Sequence, residues 1–188
     1  GCQMKPVEMD AHGMNVRLLE ESGADIAYVM PSHQYPMGVV MPVKRRQELL
    51  SWAGRGEKRY LIEDDYDSEF RYRGKPVPAL QGMDIQGKVI YMGTFSKSIA
   101  PAIRVGYLVL PAPLLAVYKR KCGFYASTVS RIDQKIIYQF LTEGHYERHL
   151  NRMRAIYKGK HDMLMSELKT LGTEFIVQGE YAGLHVLL

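Results

Sequence analysis

Residues 88–110 read KVIYMGTFSKSIAPAIRVGYLVL, in which two apolar runs, Lys88–Met92 and Val105–Leu110, flank a connecting segment. Both runs are rich in Val, Ile, Leu and Tyr, which is typical of buried strands. The connecting segment Gly93–Arg104 leaves little room for the helical crossover that joins two parallel strands, and Pro101 blocks a long helix there. We therefore expect the second strand to run antiparallel to the first.

Two further strands are predicted before this stretch, at Ile26–Met30 and Tyr60–Ile62. A helix is predicted between them at Val43–Ala53, because Pro42 suits its first turn and Gly54 suits its end. Apolar strands that alternate with helices are typical of a parallel sheet covered by helices. The sequence therefore predicts an α/β fold with a mixed, mostly parallel sheet and helices on both faces.

The second half of the chain is predicted to be mainly helical. The expected helices are Pro113–Lys121, Ser130–Thr142 and His145–Leu171, and two strands are expected at Phe175–Val177 and Leu184–Leu188. A helix as long as the third often connects two domains, so we expect one domain over 1–144 and the start of another over 145–188. Both ends of the sequence look cut, because the first residues are loop-like and the last strand has no cap.

The longest predicted helix carries an apolar stripe with the spacing of one helix face. Its members are Leu150, Met153, Tyr157, Leu164, Leu168 and Leu171. Gly159 weakens the helix by about 1 kcal/mol relative to Ala, which favours a bend at this position.

The composition indicates a globular protein. Of the 188 residues, 46% are hydrophobic and 24% are charged, and the net charge of +5 is too small and too scattered to indicate nucleic acid. Two cysteines cannot form a disulfide framework. The sequence has no transmembrane-length apolar run and no signal-peptide pattern, so we expect a cytoplasmic protein that does not bind a membrane.

Polar residues follow the ends of two predicted strands, in the segments Ile62–Phe70 and Gly93–Gly106. In open α/β sheets, ligand-binding groups gather outside the carboxyl ends of the strands. If the two strands are neighbours, Asp64 and Lys97 face the same crevice.

The second of these segments is suited to an organic phosphate. Thr94, Ser96 and Ser98 supply hydroxyl groups, and Arg104 supplies a planar fork for a phosphate. Lys97 lies among them as a possible amine nucleophile for a Schiff base. An aspartate and a tyrosine opposite would complete a site for pyridoxal 5'-phosphate (PLP), whose ring acts as an electron sink when a carboxylate keeps its nitrogen protonated.

Three motifs carry a resemblance to a known family. SKSIAPAIRVGY, at 96–107, resembles the lysine segment of class I/II aminotransferases of fold-type I. EDDYDSEFRY, at 63–72, and PSHQYPMGVVM, at 31–41, resemble the aminotransferase-like domain of MocR-type regulators, a branch of the GntR family. Such regulators join an N-terminal winged helix-turn-helix DNA reader to a PLP-binding effector domain.

The resemblance implies a fold and a set of site residues. The fold is the large PLP-binding domain of a fold-type I transferase, leading into the start of the small C-terminal domain. Lys97 matches the catalytic Schiff-base lysine, Asp64 the carboxylate at the pyridine nitrogen and Tyr66 the tyrosine at the ring hydroxyl. The phosphate positions are matched by Thr94, Ser96 and Arg104. Tyr35 departs from the pattern, because it stands where aminotransferases usually carry an asparagine that reaches the ring hydroxyl.

The same resemblance implies a function. The domain would sense a small amine, an amino acid or a B6 vitamer through exchange at the aldimine on Lys97, in a homodimer that contacts DNA only through an N-terminal domain absent from this chain. An alternative is a true class I/II aminotransferase. If the chain is a regulator, we expect any transaminase activity to be vestigial or regulatory. A third hypothesis is an interaction module without cofactor that keeps the motif as a relic.

Other interpretations compete for individual motifs. The acidic run Glu63–Glu69 could be a solvated loop, or could bind Mg²⁺ or Ca²⁺ through Asp64, Asp65 and Asp67. No phosphotransfer motif accompanies it, and the histidines lack HExxH spacing, so we expect no metal and treat the histidines as structural or exposed. Lys44–Arg46 is interpreted as the exposed first turns of a helix.

Overall fold

The computed structural model describes residues 2–74, 76–172 and 176–188. Its strands are β1 (Met9–Asp10), β2 (Gly13–Met14), β3 (Ile26–Val29), β4 (Tyr60–Asp65), β5 (Val89–Thr94) and β6 (Gly106–Val109). Its helices are α1 (Val16–Glu21), α2 (Val43–Gly54), α3 (Leu80–Met83), α4 (Phe95–Ser98), α5 (Ala112–Cys122), α6 (Arg131–Thr142) and α7 (His145–Thr170), with one 3₁₀ turn at Pro101–Ile103.

The main sheet has the strand order β3-β4-β5-β6. The first three strands are parallel, and β6 pairs antiparallel to β5, which confirms the mixed sheet predicted from the sequence. Gly93 pairs with Tyr107 across these last two strands. A Cβ atom at residue 93 would lie 2.3 Å from Cζ of Tyr107. The Tyr107 ring therefore packs across β5 over a glycine, because any other residue would collide with it.

The apolar core lies between α2 and one face of the sheet. Leu49, Trp52 and Ala53 of α2 are fully buried, and they join inward-facing strand residues in one cluster whose further members include Ala27, Val29, Leu61 and Val89. The opposite face is more open, since Ile26 is 52% and Tyr28 is 47% exposed. The alternation of buried and exposed residues along β3 and β4 follows from the two-residue period of a strand.

Arg46 differs from its sequence interpretation, because it is buried and not exposed. Its guanidinium donates hydrogen bonds to the carbonyl oxygens of Pro31, Met41 and Pro78, at 2.8 to 3.1 Å. Glu63, which is also buried, accepts hydrogen bonds from the backbone N–H groups at the start of α3, from residues 80 and 81. Burial raises the pKa of the Glu63 carboxyl. Two charged residues therefore fasten three loops to the core.

The predicted helices of the second half are present with small changes in their bounds. α7 continues through Gly159 to Thr170, and Gly144, at φ +69°, separates it from α6. The buried stripe differs in its second half. Leu164 and Leu171 are 45% and 53% exposed, and His161 takes an inward position, where its ring stacks on Tyr72 with centroids 4.3 Å apart. The domain boundary expected at residue 144 stays a prediction.

The last residues do not form the predicted strand Leu184–Leu188. Instead, isolated antiparallel bridges join Gln178 to Leu187 and Ala182 to Arg71. The chain turns at Gly179 and Gly183, both with positive φ, so the segment is not continuously extended. The predicted strand Phe175–Val177 falls partly outside the described residues. Within the part of the chain that the structure describes, no helix has the length and hydrophobicity needed to cross a membrane.

Replacing Leu49 by alanine tests the position of the core. Because Leu49 is fully buried, Leu49→Ala is expected to lower the free energy of unfolding by about 2–5 kcal/mol. Leu164→Ala, on a helical side chain that is 45% exposed, should lower it by less than about 1 kcal/mol. Urea denaturation followed by the fluorescence of Trp52 measures both. Equal losses would contradict the placement of the core.

Candidate functional site

A pocket at the carboxyl ends of β4 and β5 brings together most of the predicted site residues. It has a volume of about 290 Å³ and is lined by Tyr66, Thr94, Ser96, Lys97, Arg104, Val105 and Gly106. The parallel pairing of the two strands places their ends side by side. The two motifs, which lie far apart in sequence, therefore meet at one edge of the sheet.

Lys97 owes its position to the turn from β5 into α4. Thr94 caps this short helix, since its Oγ1 accepts a hydrogen bond from the Ser96 N–H at 3.1 Å. The Phe95 N–H donates to the carbonyl oxygen of Val105 at 2.9 Å, which ties the helix to the strand that follows. Lys97 then lies in the last turn of α4 with an exposed side chain. Its amine is accessible at the pocket wall.

Arg104 has a left-handed backbone, with φ 49° and ψ 34°. Among the described residues it is the one non-glycine residue with positive φ. Such a conformation costs about 1–2 kcal/mol for an L-residue, and strained residues cluster at functional sites. The guanidinium side chain of Arg104 lines the pocket, and its charge suits an anion.

Asp64 and Asp65 point to opposite sides of β4. Asp65 is buried, and its carboxylate accepts hydrogen bonds from the hydroxyl groups of Ser68 and Tyr91, both at 2.7 Å. Asp64 lies on the more open face, where it accepts a hydrogen bond from the hydroxyl of Tyr28. Asp64 is not part of the lining of the pocket, although Tyr66, two residues further along the chain, is.

Tyr28 was not identified from the sequence. It lies on β3, whose parallel register pairs it with Ile62, two residues before Asp64 on the same face. Burial and the neighbouring Asp64 carboxylate raise the pKa of Tyr28 to about 12. Its hydroxyl therefore stays protonated near neutral pH and donates to Asp64. The alternation of exposed and buried residues along β3 puts Tyr28 on the more open face, but its contact with Asp64 also depends on the register between β3 and β4. The sequence alone does not fix that register.

The Tyr66 hydroxyl donates a hydrogen bond to the carbonyl oxygen of His33 at 2.9 Å. Burial raises the pKa of Tyr66, and the carboxylates of Asp67 and Asp64 raise it further. The phenol therefore keeps its proton, which it donates to the His33 carbonyl. Tyr35, by contrast, is 61% exposed and does not line the pocket, and its ring lies 5.3 Å from that of His185.

A cluster of two buried residues and one half-buried histidine lies next to Tyr66 and was also missed. His33, Asp67 and His185 offer ligand atoms within 4.8 Å of one another, a spacing that also occurs in metal sites. However, Nδ1 of His33 and Oδ2 of Asp67 are paired with each other at 3.0 Å. Gly183 packs directly against both atoms, which leaves no space for a side chain at residue 183. His33 lies in the motif at 31–41 and Asp67 in the motif at 63–72, but only the fold reveals their contact.

Comparisons with known proteins identify the family of the chain. The model of the family "Aminotransferase class I and II" matches residues 3–187. The uncharacterized HTH-type transcriptional regulator YdeL of Bacillus subtilis is 41% identical over 184 residues, which cover 97% of this chain and 40% of that protein. The probable rhizopine catabolism regulatory protein MocR of Rhizobium meliloti is 38% identical over 157 residues, which cover 84% of this chain and 32% of that protein.

A solved structure adds an enzyme to these relatives. The Pyrococcus horikoshii kynurenine aminotransferase, crystallised in complex with PMP, matches with a TM-score of 0.78 and 28% identity over 94% of this chain and 46% of that chain. The chain thus spans less than half the length of each of these three proteins. It belongs to the class I and II aminotransferase family and is similar within it to MocR-type transcriptional regulators.

Proposed function

We propose that this chain is part of the PLP-binding effector domain of a GntR/MocR-type transcriptional regulator. The observation that carries the proposal is the single pocket that holds the Lys97 amine, the Arg104 guanidinium, the hydroxyl groups of Thr94 and Ser96, and the Tyr66 phenol. The curated relatives named above are regulators, which favours a sensor over an enzyme.

The residues of the pocket fit PLP in chemical type. The cofactor carries a phosphate, an aldehyde, a ring hydroxyl and a ring nitrogen, and the pocket and its border offer a partner for each. Arg104 and two hydroxyl groups suit the phosphate, and the Lys97 amine suits the aldehyde. The Tyr66 phenol donates its own proton to the His33 carbonyl, so its oxygen suits the ring hydroxyl as an acceptor. When bound, PLP supplies an aldehyde that condenses with amines and a ring that withdraws electrons.

Asp64 would hold the proton of the ring nitrogen. Its carboxylate is kept on the open face of β4 by the donated hydrogen bond from Tyr28. Tyr35 stays a predicted cofactor contact, and its exposure leaves it free to approach the pocket from outside.

The whole protein would sense its ligand at this pocket. A small amine, an amino acid or a B6 vitamer would compete with the Lys97 amine for the cofactor, and the regulator would respond through differential contacts in its two states. We propose DNA contact through an N-terminal helix-turn-helix domain and assembly as a homodimer in the cytoplasm. The alternative function, a true aminotransferase, is favoured by the likeness to the P. horikoshii enzyme.

Lys97→Ala in the full-length protein tests the attachment of the cofactor. Borohydride reduction followed by peptide mapping should place the pyridoxyl group on Lys97 in the wild type. The variant should lose both this adduct and the effect of PLP and amines on operator binding, while Lys119→Ala, on an exposed side chain of α5, should keep both. An adduct mainly on another lysine contradicts the assignment. Repeated turnover of an amino acid with a 2-oxo acid, without any effect on DNA binding, would favour the enzyme.

Arg104→Ala tests the phosphate contact. Losing one charge-assisted hydrogen bond is expected to weaken the binding of PLP by about tenfold or more, because such bonds contribute about 1.5–3 kcal/mol. Binding of pyridoxal, which lacks the phosphate, should change little. Absorbance titrations with both compounds measure the difference, and Arg120→Ala on α5 serves as the control. An equal loss for the two compounds would show that Arg104 does not hold the phosphate.

Asp64→Asn and Asp65→Asn should have different effects. Asp64→Asn removes the charge beside the ring while its amide oxygen can still accept from Tyr28, so the visible spectrum and affinity of bound PLP should change and stability should not. Asp65→Asn disturbs a buried group bonded to Ser68 and Tyr91, so it should cost about 1 kcal/mol of stability. Spectral titration and urea denaturation measure these effects. The reverse pattern would mean that the two carboxylates have exchanged roles.

A further inference from the structure

The buried pair His33–Asp67 lies between the candidate pocket and the C-terminal segment of the chain. Both residues are 1% exposed, and Nδ1 of His33 donates to Oδ2 of Asp67 at 3.0 Å. Each also has a second buried polar atom without a hydrogen-bond partner in the described part of the chain, Nε2 of His33 and Oδ1 of Asp67. The hydrogen bond between the two side chains therefore orients the His33 ring.

On one side the pair holds Tyr66. The Tyr66 hydroxyl donates to the His33 carbonyl oxygen at 2.9 Å and lies 3.4 Å from Nδ1 of the same residue. Tyr66 also lines the pocket with Lys97. The orientation of the phenol at the pocket is therefore set by the position of His33.

On the other side the pair holds the segment Gly183–His185. The Leu184 N–H donates to Oδ2 of Asp67 at 3.1 Å, and the His185 ring lies 4.3 Å from the His33 ring. A Cβ atom at Gly183 would lie 1.8 Å from Nδ1 of His33 and 2.5 Å from Oδ2 of Asp67. At φ +75°, this glycine brings the backbone into a contact that no other residue permits.

We propose that His33 and Asp67 are positioning residues that couple the Tyr66 hydroxyl to the C-terminal segment. The connection runs from the Tyr66 phenol to the His33 carbonyl, from the His33 ring to Asp67, and from Asp67 to the Leu184 amide. This inference rests on the proposed function, since it assigns a route by which occupancy of the pocket reaches the residues after α7. Movement of the segment shifts Tyr66, and a change in the hydrogen bond of Tyr66 shifts the segment, because coupling between two sites is reciprocal.

A double-mutant cycle on the full-length protein tests the coupling. PLP dissociation constants are measured for the wild type, Tyr66→Phe, Asp67→Asn and the double variant. Both single variants are expected to bind PLP more weakly, and the loss in the double variant should be smaller than the product of the single losses by about threefold or more. The control cycle pairs Tyr66→Phe with Asp25→Asn, on an exposed carboxylate, and its effects should multiply.

Hydrogen exchange supplies a second readout that needs no cofactor. In Tyr66→Phe, the Leu184 amide should exchange about two- to tenfold faster than in the wild type, the range expected for the loss of one hydrogen bond. This measurement decides the question if Asp67→Asn does not fold, because Tyr66→Phe leaves the buried pair in place.

The outcomes separate the two proposals. If the losses of PLP affinity in the double-mutant cycle multiply and hydrogen exchange at Leu184 is unchanged, the coupling is overturned while the PLP site stands. Faster exchange at Leu184 in a protein that does not bind PLP would overturn the proposed function and show the connection to be structural only. Faster hydrogen exchange at Leu184, together with losses of PLP affinity that do not multiply, supports both the PLP site and the coupling.

Discussion

The buried charges of Arg46 and Glu63 are the constraint on which the loops of this fold depend. Neither group can be left in the core without partners, because an unpaired buried charge costs several kcal/mol. The two groups lie 3.9 Å apart, and their remaining polar atoms are satisfied by backbone groups of the loops that follow β3 and β4. The same loops carry His33 and Tyr66. The charge pair thereby fixes the backbone around the pocket, although neither residue reaches it.

The pocket combines a rigid wall with a more adaptable one. Thr94 is the last paired residue of β5, and it caps the short helix that carries Lys97, so this wall is anchored to the sheet. Tyr66 lies beyond the end of β4, and its position depends on the contacts of its hydroxyl and on the residues packed behind it. Under the proposed function, a PLP site built in this way would keep Lys97 fixed while Tyr66 responds to its surroundings.

The architecture was predictable because strand periodicity and helix signals are local. The antiparallel β6 followed from the short connection and Pro101, and both were visible in the sequence. The contacts of Tyr28 with Asp64 and of His33 with Asp67 were not predictable, since each depends on register or on loop closure between residues far apart in the chain. Arg46 was misread for a related reason: a cation at a helix start suggests exposure, and only the tertiary fold supplies three carbonyl acceptors in the core.

The left-handed backbone of Arg104 has a consequence for how this sequence can vary. Glycine adopts that conformation without strain, so selection for stability alone would replace the arginine. An arginine at such a position trades folding free energy for a cation at the mouth of the pocket. Under the proposed function, residue 104 would be among the first to drift in a copy of this domain that no longer needed an anionic ligand, and its identity would record whether a phosphate-bearing ligand is still in use.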